Sequence, residues 1–276
     1  MKSKDLLSSN IFDIKNKNVL LTGSAGLLGS HYAELLCSNG ANVILVDINE
    51  KQNKKLEKLL LSKYHTKVQS YTCDLSSIEE IRTLKHTILS DFKQIDILIN
   101  NAAYTTKSSV TEKNKKSSFE NFSYELWEKS LSVNLTSVFL FCQEFGKLML
   151  KQKKGVIVNI SSIYGIVGAD QRIYENGDFN LPVSYAATKG SIINFTRYLA
   201  AYWQKKNIRV NTLSLGGVQD SAYQKSNFIK KYSEKTMLGR MAKKSDFDGA
   251  LLFLISDASS YVTGTNLVVD GGWTAW

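Results

Sequence analysis

The sequence predicts an α/β fold: one domain built as a three-layer, doubly wound parallel sheet. Three observations predict it. Short, continuously apolar runs alternate with amphipathic segments, the pattern of buried parallel strands joined by helical crossovers. A glycine-rich stretch falls directly between the first apolar run and the first helical segment. No composition break or internal repeat divides the 276 residues, a length that suits one domain.

The elements follow in order. Asn18–Thr22 (NVLLT) is the first strand. Residues 26–39 read as a helix stopped by Gly40, since glycine ends helices in the left-handed conformation at little cost. A strand over 42–46, a Lys-rich amphipathic helix over 51–62 and an alternating strand over 67–72 come next. Residues 76–91 are helical, with Ser77 and Glu80 spaced as a capping box. Residues 95–99 form a strand. In the second half, residues 123–151 read as one long helix opened by Ser123 as N-cap. Strands over 155–160, 209–214 and 266–269 alternate with helices over 183–205 and 245–256. The polar stretches 104–121 and 169–181 are loops. Residues 1–14 are expected to be an N-terminal tail and 15–276 the folded domain.

Charge and composition exclude several classes. The net charge of +10 rests on 35 basic residues, only five of them Arg (82, 172, 197, 209 and 240). A scattered, Lys-based surplus lacks the bidentate forks that read nucleic acid, so no nucleic-acid partner is expected. Three cysteines without a Cys-x-x-Cys spacing, and three histidines apart from them, point to no metal site, no disulfide framework and a reducing cytoplasm. Residues 1–18 lack the apolar core of a secretory signal, and no apolar run approaches the ~20 residues that span a bilayer. No membrane association is expected.

The glycine-rich stretch, Thr22-Gly23-Ser24-Ala25-Gly26-Leu27-Leu28-Gly29, follows the first strand and opens the first helix. Glycines there let the chain turn tightly and bring N–H groups to a pyrophosphate at a helix N-terminus, as in Rossmann-type dinucleotide sites. Asp47, with Ile48 beside it, ends the second strand. A carboxylate there accepts from the adenosine ribose hydroxyls and repels a 2′-phosphate. No Lys or Arg occupies 24, 25, 48 or 49, so NAD is favoured over NADP. The alternative role for Asp47 is capping the next helix.

Tyr185 and Lys189 lie four residues apart at the start of an amphipathic helix and face one side of it. A phenol titrates near pH 10, too high for proton exchange at neutrality. An adjacent ammonium that lowered this by three pH units would contribute roughly 4 kcal/mol. Alone, such a pair is equally consistent with a surface contact.

Taken together, the motifs resemble the short-chain dehydrogenase/reductase family, classical-type, over nearly the whole chain from Lys15 to Trp273. The resemblance rests on the turn at 22–29, Asp74-Leu75, Asn100-Asn101-Ala102-Ala103, Asn134 in Ser-Val-Asn-Leu, Ser161-Ser162, Tyr185 with Lys189, and Val269-Asp270-Gly271-Gly272. It implies an enzyme that interconverts a secondary alcohol and a ketone with NAD, with Tyr185 as general acid/base. Lys189 would lower the Tyr185 pKa and hold the nicotinamide ribose. Ser162, or in the alternative Ser161, would orient the substrate oxygen, and Asn134 would hold a water of the proton relay. Gly23, Ser24, Ala25, Gly26, Leu27 and Leu28 would line the pyrophosphate. Asp74 and Leu75 would meet adenine, Asn101, Ala102 and Ala103 the adenosine ribose, and the Val218 backbone the nicotinamide amide. The family's long helices around Asn134 and Tyr185 commonly pack on a partner subunit, which implies a homodimer or homotetramer.

Three departures bear on the substrate. Leu27 stands where the classical turn has its middle glycine, and the resulting Gly-x-x-Gly-x-x-Gly spacing is similar to that of extended members such as epimerases and dehydratases. The Ser162–Tyr185 interval is long. Its extra residues Asp170, Gln171, Arg172, Tyr174, Glu175, Asn176 and Asp178 offer hydrogen bonds to a polyhydroxylated ligand, with Arg172 suited to a phosphate or carboxylate. The alternative is a solvated surface excursion. Leu215-Gly216 and Asp220 replace the usual Pro-Gly and Thr, leaving Ser221 as a substitute contact to the nicotinamide carboxamide. The tail at 271–276 resembles sugar-handling members of bacterial surface-glycan and flagellin-modification pathways. A small-molecule sugar derivative is therefore the expected substrate. The rivals are a 3-oxoacyl thioester reductase, a nucleotide-sugar epimerase or dehydratase, and a catalytically silent nucleotide-binding regulator.

Overall fold

The computed structural model describes residues 10–105, 119–174, 181–220, 222 and 224–276. Seven strands form one parallel sheet: β1 (Asn18–Thr22), β2 (Asn42–Asp47), β3 (Val68–Thr72), β4 (Ile97–Asn100), β5 (Gly155–Ser162), β6 (Ile208–Leu215) and β7 (Asn266–Val269), in the order β3-β2-β1-β4-β5-β6-β7. Successive side chains alternate across the sheet, and both faces are buried. Leu20, Ile44, Leu98, Ile157 and Val210 pack in one core with Ile81, Leu84, Phe141, Phe145 and Ile192. Their neighbours Val19, Leu21, Val43, Leu45 and Val158 pack in the other with Tyr32, Leu36, Leu60, Leu251 and Leu254. Two buried faces are why these strands read as unbroken apolar runs.

The helices are α1 (Leu27–Ser38), α2 (Glu50–Lys63), α3 (Ile78–Asp91), α4 (Tyr124–Leu131), α5 (Ser137–Gln152), α6 (Val183–Tyr202), α7 (Ser226–Ser233) and α8 (Asp248–Ile255). Gly40 ends α1 in the expected left-handed conformation, φ +79°. Ser77 caps α3 by accepting from Glu80 N, but the Glu80 carboxylate accepts from Asp74 N instead of closing the box.

The single helix expected over 123–151 is a correction. Ser123 caps α4 as predicted, but Ser132–Thr136 forms a π-helical segment between α4 and α5. Hydroxyls of Ser130, Ser132 and Ser137 donate to the carbonyls four residues back, Leu126, Glu128 and Val133, which loosens an α-helical ladder locally. Helix α7 has no counterpart in the sequence reading. The folded unit also begins before residue 15: Ile14 is buried in the core and the Ile11 carbonyl accepts from Ala258 N. Among the described residues no helix is long and apolar enough to cross a membrane.

Candidate active site

The chain leaves β1 toward α1 on one side of the sheet and leaves β4 toward α4 on the other, so a crevice opens beyond the strand ends at this switch point. A cavity of about 770 Å³ lies there. Asp47 ends β2 and Asp74 follows β3 on one side of the crevice. Ser162, Gly216 and Val218 sit at or just beyond the ends of β5 and β6 on the other.

The Gly-rich turn needs its glycines. Gly23 has φ +65°, and a Cβ there would lie 2.7 Å from Ala102 Cα. A Cβ on Gly29 would lie 1.9 Å from the Gly23 carbonyl oxygen. Gly26 is the N-cap of α1, and no side chain caps this helix. Its first N–H groups are thus available to an anion, and Gly26, Leu27, Leu28 and Gly29 line the cavity,. A dinucleotide pyrophosphate fits this arrangement.

Asp47 braces the turn. Its carboxylate accepts from Ala25 N at 2.9 Å and from Asn49 N at 2.9 Å. Asn49, not Asp47, caps α2. Ser24 and Ala25 do not line the cavity. The Ser24 hydroxyl is fully buried and donates to Asn53 Oδ1 at 2.7 Å, while Asn53 Nδ2 donates to the carbonyls of Leu45 and Tyr71. The Ser24 side chain therefore ties the turn to β2 and β3. Asn101 does similar work: its amide donates to the carbonyls of Thr22 and Gly23, and Thr22 Oγ1 accepts from Asn101 N and Ala102 N. Asn101, Ala102 and Ala103 still border the cavity, as do Ile48, Asp74 and Leu75. Burial opposes ionisation of Asp74, but two donors from Ser76 and the Lys129 ammonium outweigh it and hold its pKa below the ordinary value.

Tyr185, Ser162 and Lys189 converge on this cavity. Pro182 precedes α6, where its fixed φ starts the helix that carries Tyr185 and Lys189. Lys189 is 3% exposed and donates to the Ile160 carbonyl at 2.8 Å. Burial lowers its pKa from 10.5 to about 8. Its Nζ lies 5.6 Å from the centre of the Tyr185 ring. Burial pushes the Tyr185 phenol upward, and a hydrogen bond with Ser162 opposes this only in part. Desolvation is the larger of the two effects at the phenol, and Lys189 spends its ammonium on a carbonyl. Ser161 turns away and donates to the Lys189 carbonyl, which leaves Ser162 as the serine at the cavity.

Asn134 lies in the π segment, 1% exposed and behind the cavity wall. Its amide accepts from Tyr104 N at 2.6 Å and donates to Tyr104 O at 3.1 Å. The side chain is thus occupied in fixing the segment that follows β4. Of the insertion, Tyr174 faces the cavity, but Arg172 does not. Arg172 pairs with Asp170 at 2.8 Å and lines a separate surface cleft with Lys231, Lys235 and Trp276. Glu175, Asn176, Asp178 and Ser221 lie outside the described residues. Sequence reasoning missed Lys129, Tyr164, Gln224, Phe228, Tyr232 and Met241 as lining residues. The apolar pair Phe228/Tyr232 at helical spacing was the available signal for the last part of this wall.

The family model described as enoyl-(acyl carrier protein) reductase matches residues 23–274. The chain is 32% identical over 260 residues to post-translational flagellin modification protein A of Campylobacter coli, covering 94% of this chain and 99% of that one. It is 33% identical over 261 residues to the 3-oxoacyl-[acyl-carrier-protein] reductase FabG of Aquifex aeolicus, covering 94% and 98%. A short-chain dehydrogenase from Leptospira borgpetersenii, solved with bound NAD+, superposes with a TM-score of 0.80 at 37% identity, covering 96% of each chain. The chain belongs to the short-chain dehydrogenase/reductase family, oxidoreductases that act on CH–OH groups with NAD or NADP.

Proposed function

We propose that this chain is an NAD-dependent dehydrogenase that interconverts a secondary alcohol and a ketone on a sugar or sugar derivative, with Tyr185 as general acid/base. One observation carries the reading: Tyr185, its partner Ser162 and the buried Lys189 line the same cavity as an uncapped helix N-terminus braced by Asp47. The nicotinamide cofactor supplies the hydride acceptor or donor. Position and proton handling fall to the protein.

Ser162 holds the substrate oxygen by hydrogen bonding, and Tyr185 exchanges the proton with that oxygen. A phenol kept neutral by burial is in the right state to protonate a ketone oxygen as it becomes a hydroxyl. In the oxidising direction the phenol must first lose its proton, so that rate rises with pH. Lys189 orients the cofactor ribose, and Asn134 fixes the chain beside the relay. Gly23, Gly26, Leu27 and Leu28 hold the pyrophosphate, with the Ser24–Ala25 backbone forming the turn. Asp47 and Ile48 meet the adenosine ribose, and Asp74 and Leu75 the adenine. Asn101, Ala102 and Ala103 lie beside the ribose, and the Val218 backbone meets the nicotinamide amide. Asp47, with no cation at 24, 25, 48 or 49, supports NAD over NADP.

The family description and the FabG relative favour a second reading, reduction of a 3-oxoacyl thioester. A screen of NAD reduction over alcohols, sugars and nucleotide sugars, run beside oxidation of NADH and NADPH by 3-oxoacyl thioesters, separates the two. Activity confined to thioesters with NADPH refutes the sugar reading. Tyr185→Phe should lower turnover by about 10²–10⁴-fold while NADH still binds; unchanged turnover refutes the role given to Tyr185. The exposed Phe139, Tyr198 and Tyr202 on α5 and α6 support a homodimer or homotetramer. Three unpaired, buried cysteines support a cytoplasmic setting.

A further inference from the structure

We propose that the substrate is an uncharged ring alcohol, whose C–H face packs on an aromatic wall made by Tyr164, Tyr174, Phe228 and Tyr232. This rests on the dehydrogenase reading and narrows it to one charge class.

The wall is drawn from three separate places in the chain. Tyr164 lies in the short 3-10 turn after β5, Tyr174 ends the insertion's own 3-10 turn, and Phe228 and Tyr232 sit one turn apart on α7. All four line the cavity that holds Tyr185 and Ser162. The rings brace one another: Tyr174 and Phe228 have centroids 5.5 Å apart, Phe228 and Tyr232 5.9 Å. Behind them Trp273 stacks on Tyr232 at 4.3 Å, and Tyr232 accepts from Gly217 N. Aromatic rings attract polarised C–H groups through their negative faces and have no such attraction for an anion. Ile163, Leu181, Pro182 and Met241 continue the wall with apolar surface.

Among the described residues the cations lie elsewhere. Among the described residues lining the cavity, the only ones are Lys129 and Lys189. Lys129 sits at Asp74 and Ser76, on the β3 side of the crevice. Lys189 is held on the Ile160 carbonyl. Arg172 and Lys235 share the carboxylate of Asp170 outside this cavity, while Asp220 adds negative charge to it. A phosphate or carboxylate on the reacting ring would meet no free cation among the described lining residues, and desolvating it there is costly,. The expectation that Arg172 meets such a group does not hold in this arrangement.

The test uses the full chain and matched probes: glucose against glucuronate and glucose 6-phosphate, and cyclohexanol against 3-hydroxycyclohexanecarboxylate. Each is measured for NAD reduction and, independently of turnover, for binding to the enzyme–NADH complex by calorimetry. In at least one set the neutral member should show a tenfold or greater advantage in kcat/KM or affinity over its charged partner. Advantage in either set supports the proposal and tells a polyol ring from a hydrocarbon ring. Phe228→Lys should shrink that ratio at least fivefold, a readout that partial loss of folded protein does not move. Neutral probes that bind without being oxidised support this inference and overturn the dehydrogenase reading instead. Absence of that advantage in both sets, whether through tighter binding of the charged members or failure of every neutral probe to bind, overturns the inference.

Discussion

Replacing Lys189 by Met should make the protein more stable and inactive together. Lys189 is 3% exposed, and burial lowers its pKa from 10.5 to about 8. At 1.36 kcal/mol per pH unit, holding this ammonium charged in the fold at pH 7 costs about 3 kcal/mol. The folded state binds fewer protons than the unfolded state between pH 8 and 10.5, so stability rises with pH across that window. The cost is fully present below pH 8 and gone above 10.5. Methionine keeps the apolar stem and removes the charge. It also removes the bond to the Ile160 carbonyl, worth about 1 kcal/mol. The net gain at pH 7 is then about 2 kcal/mol, which for a domain of this size is a rise of roughly 4 °C in Tm. Thermal or urea unfolding of parent and variant at pH 7 and pH 10.5 measures it. A variant less stable than the parent at pH 7, or a gap that does not close as pH rises, refutes the reasoning.

Asp47→Asn keeps one acceptor for the two N–H groups of Ala25 and Asn49. It should cost about 1–2 kcal/mol in urea unfolding and narrow the NADH preference at least tenfold in fluorescence titrations; an unchanged preference would count against the cofactor assignment. Gly29→Ala forces a Cβ to within 1.9 Å of the Gly23 carbonyl, and should cost about 3 kcal/mol or more with loss of NADH binding, while retained binding would show that the turn can relax. Asp170→Asn releases Arg172 and Lys235 and should raise substrate KM several-fold with NADH affinity unchanged, since these groups lie by α7 and not by the turn. In the parent, Arg172 and Lys235 hold the Asp170 carboxyl well below the ordinary range. Its contribution is therefore present above the usual carboxylate pKa and is lost only as pH falls through the depressed value.

The sheet was legible because its strands bury both faces. Val19 and Leu20 serve opposite cores, so each had to be apolar, and the runs stand out. The turn was legible because glycine is the only residue type that fits at Gly23 and Gly29. Asn134 was found by its motif, but not the π segment that carries it, since Ser132–Thr136 has ordinary helical periodicity and its distortion arises from serine back-bonds. The aromatic wall was hidden for a different reason. Phe228 is distant in sequence from Tyr164 and Tyr174, and only the packing of α7 against the insertion brings it to them. Arg172 reads as a ligand group from the sequence because nothing there shows that Asp170, two residues before it, is its partner.

The π segment also constrains the chain in a way that residue identity does not express. Ser132–Thr136 carries one residue more than an α-helical path over the same rise, and each residue of an α-helix turns the chain by about 100°. Deleting any single residue there would leave the composition of this stretch almost unaltered and let α4 and α5 join as one regular helix. It would also swing either Asn134 away from the Tyr104 backbone or the Phe141–Phe145 face of α5 away from the sheet. The two faces are held in phase by chain length, so this stretch should accept substitutions far more readily than a change in its residue count.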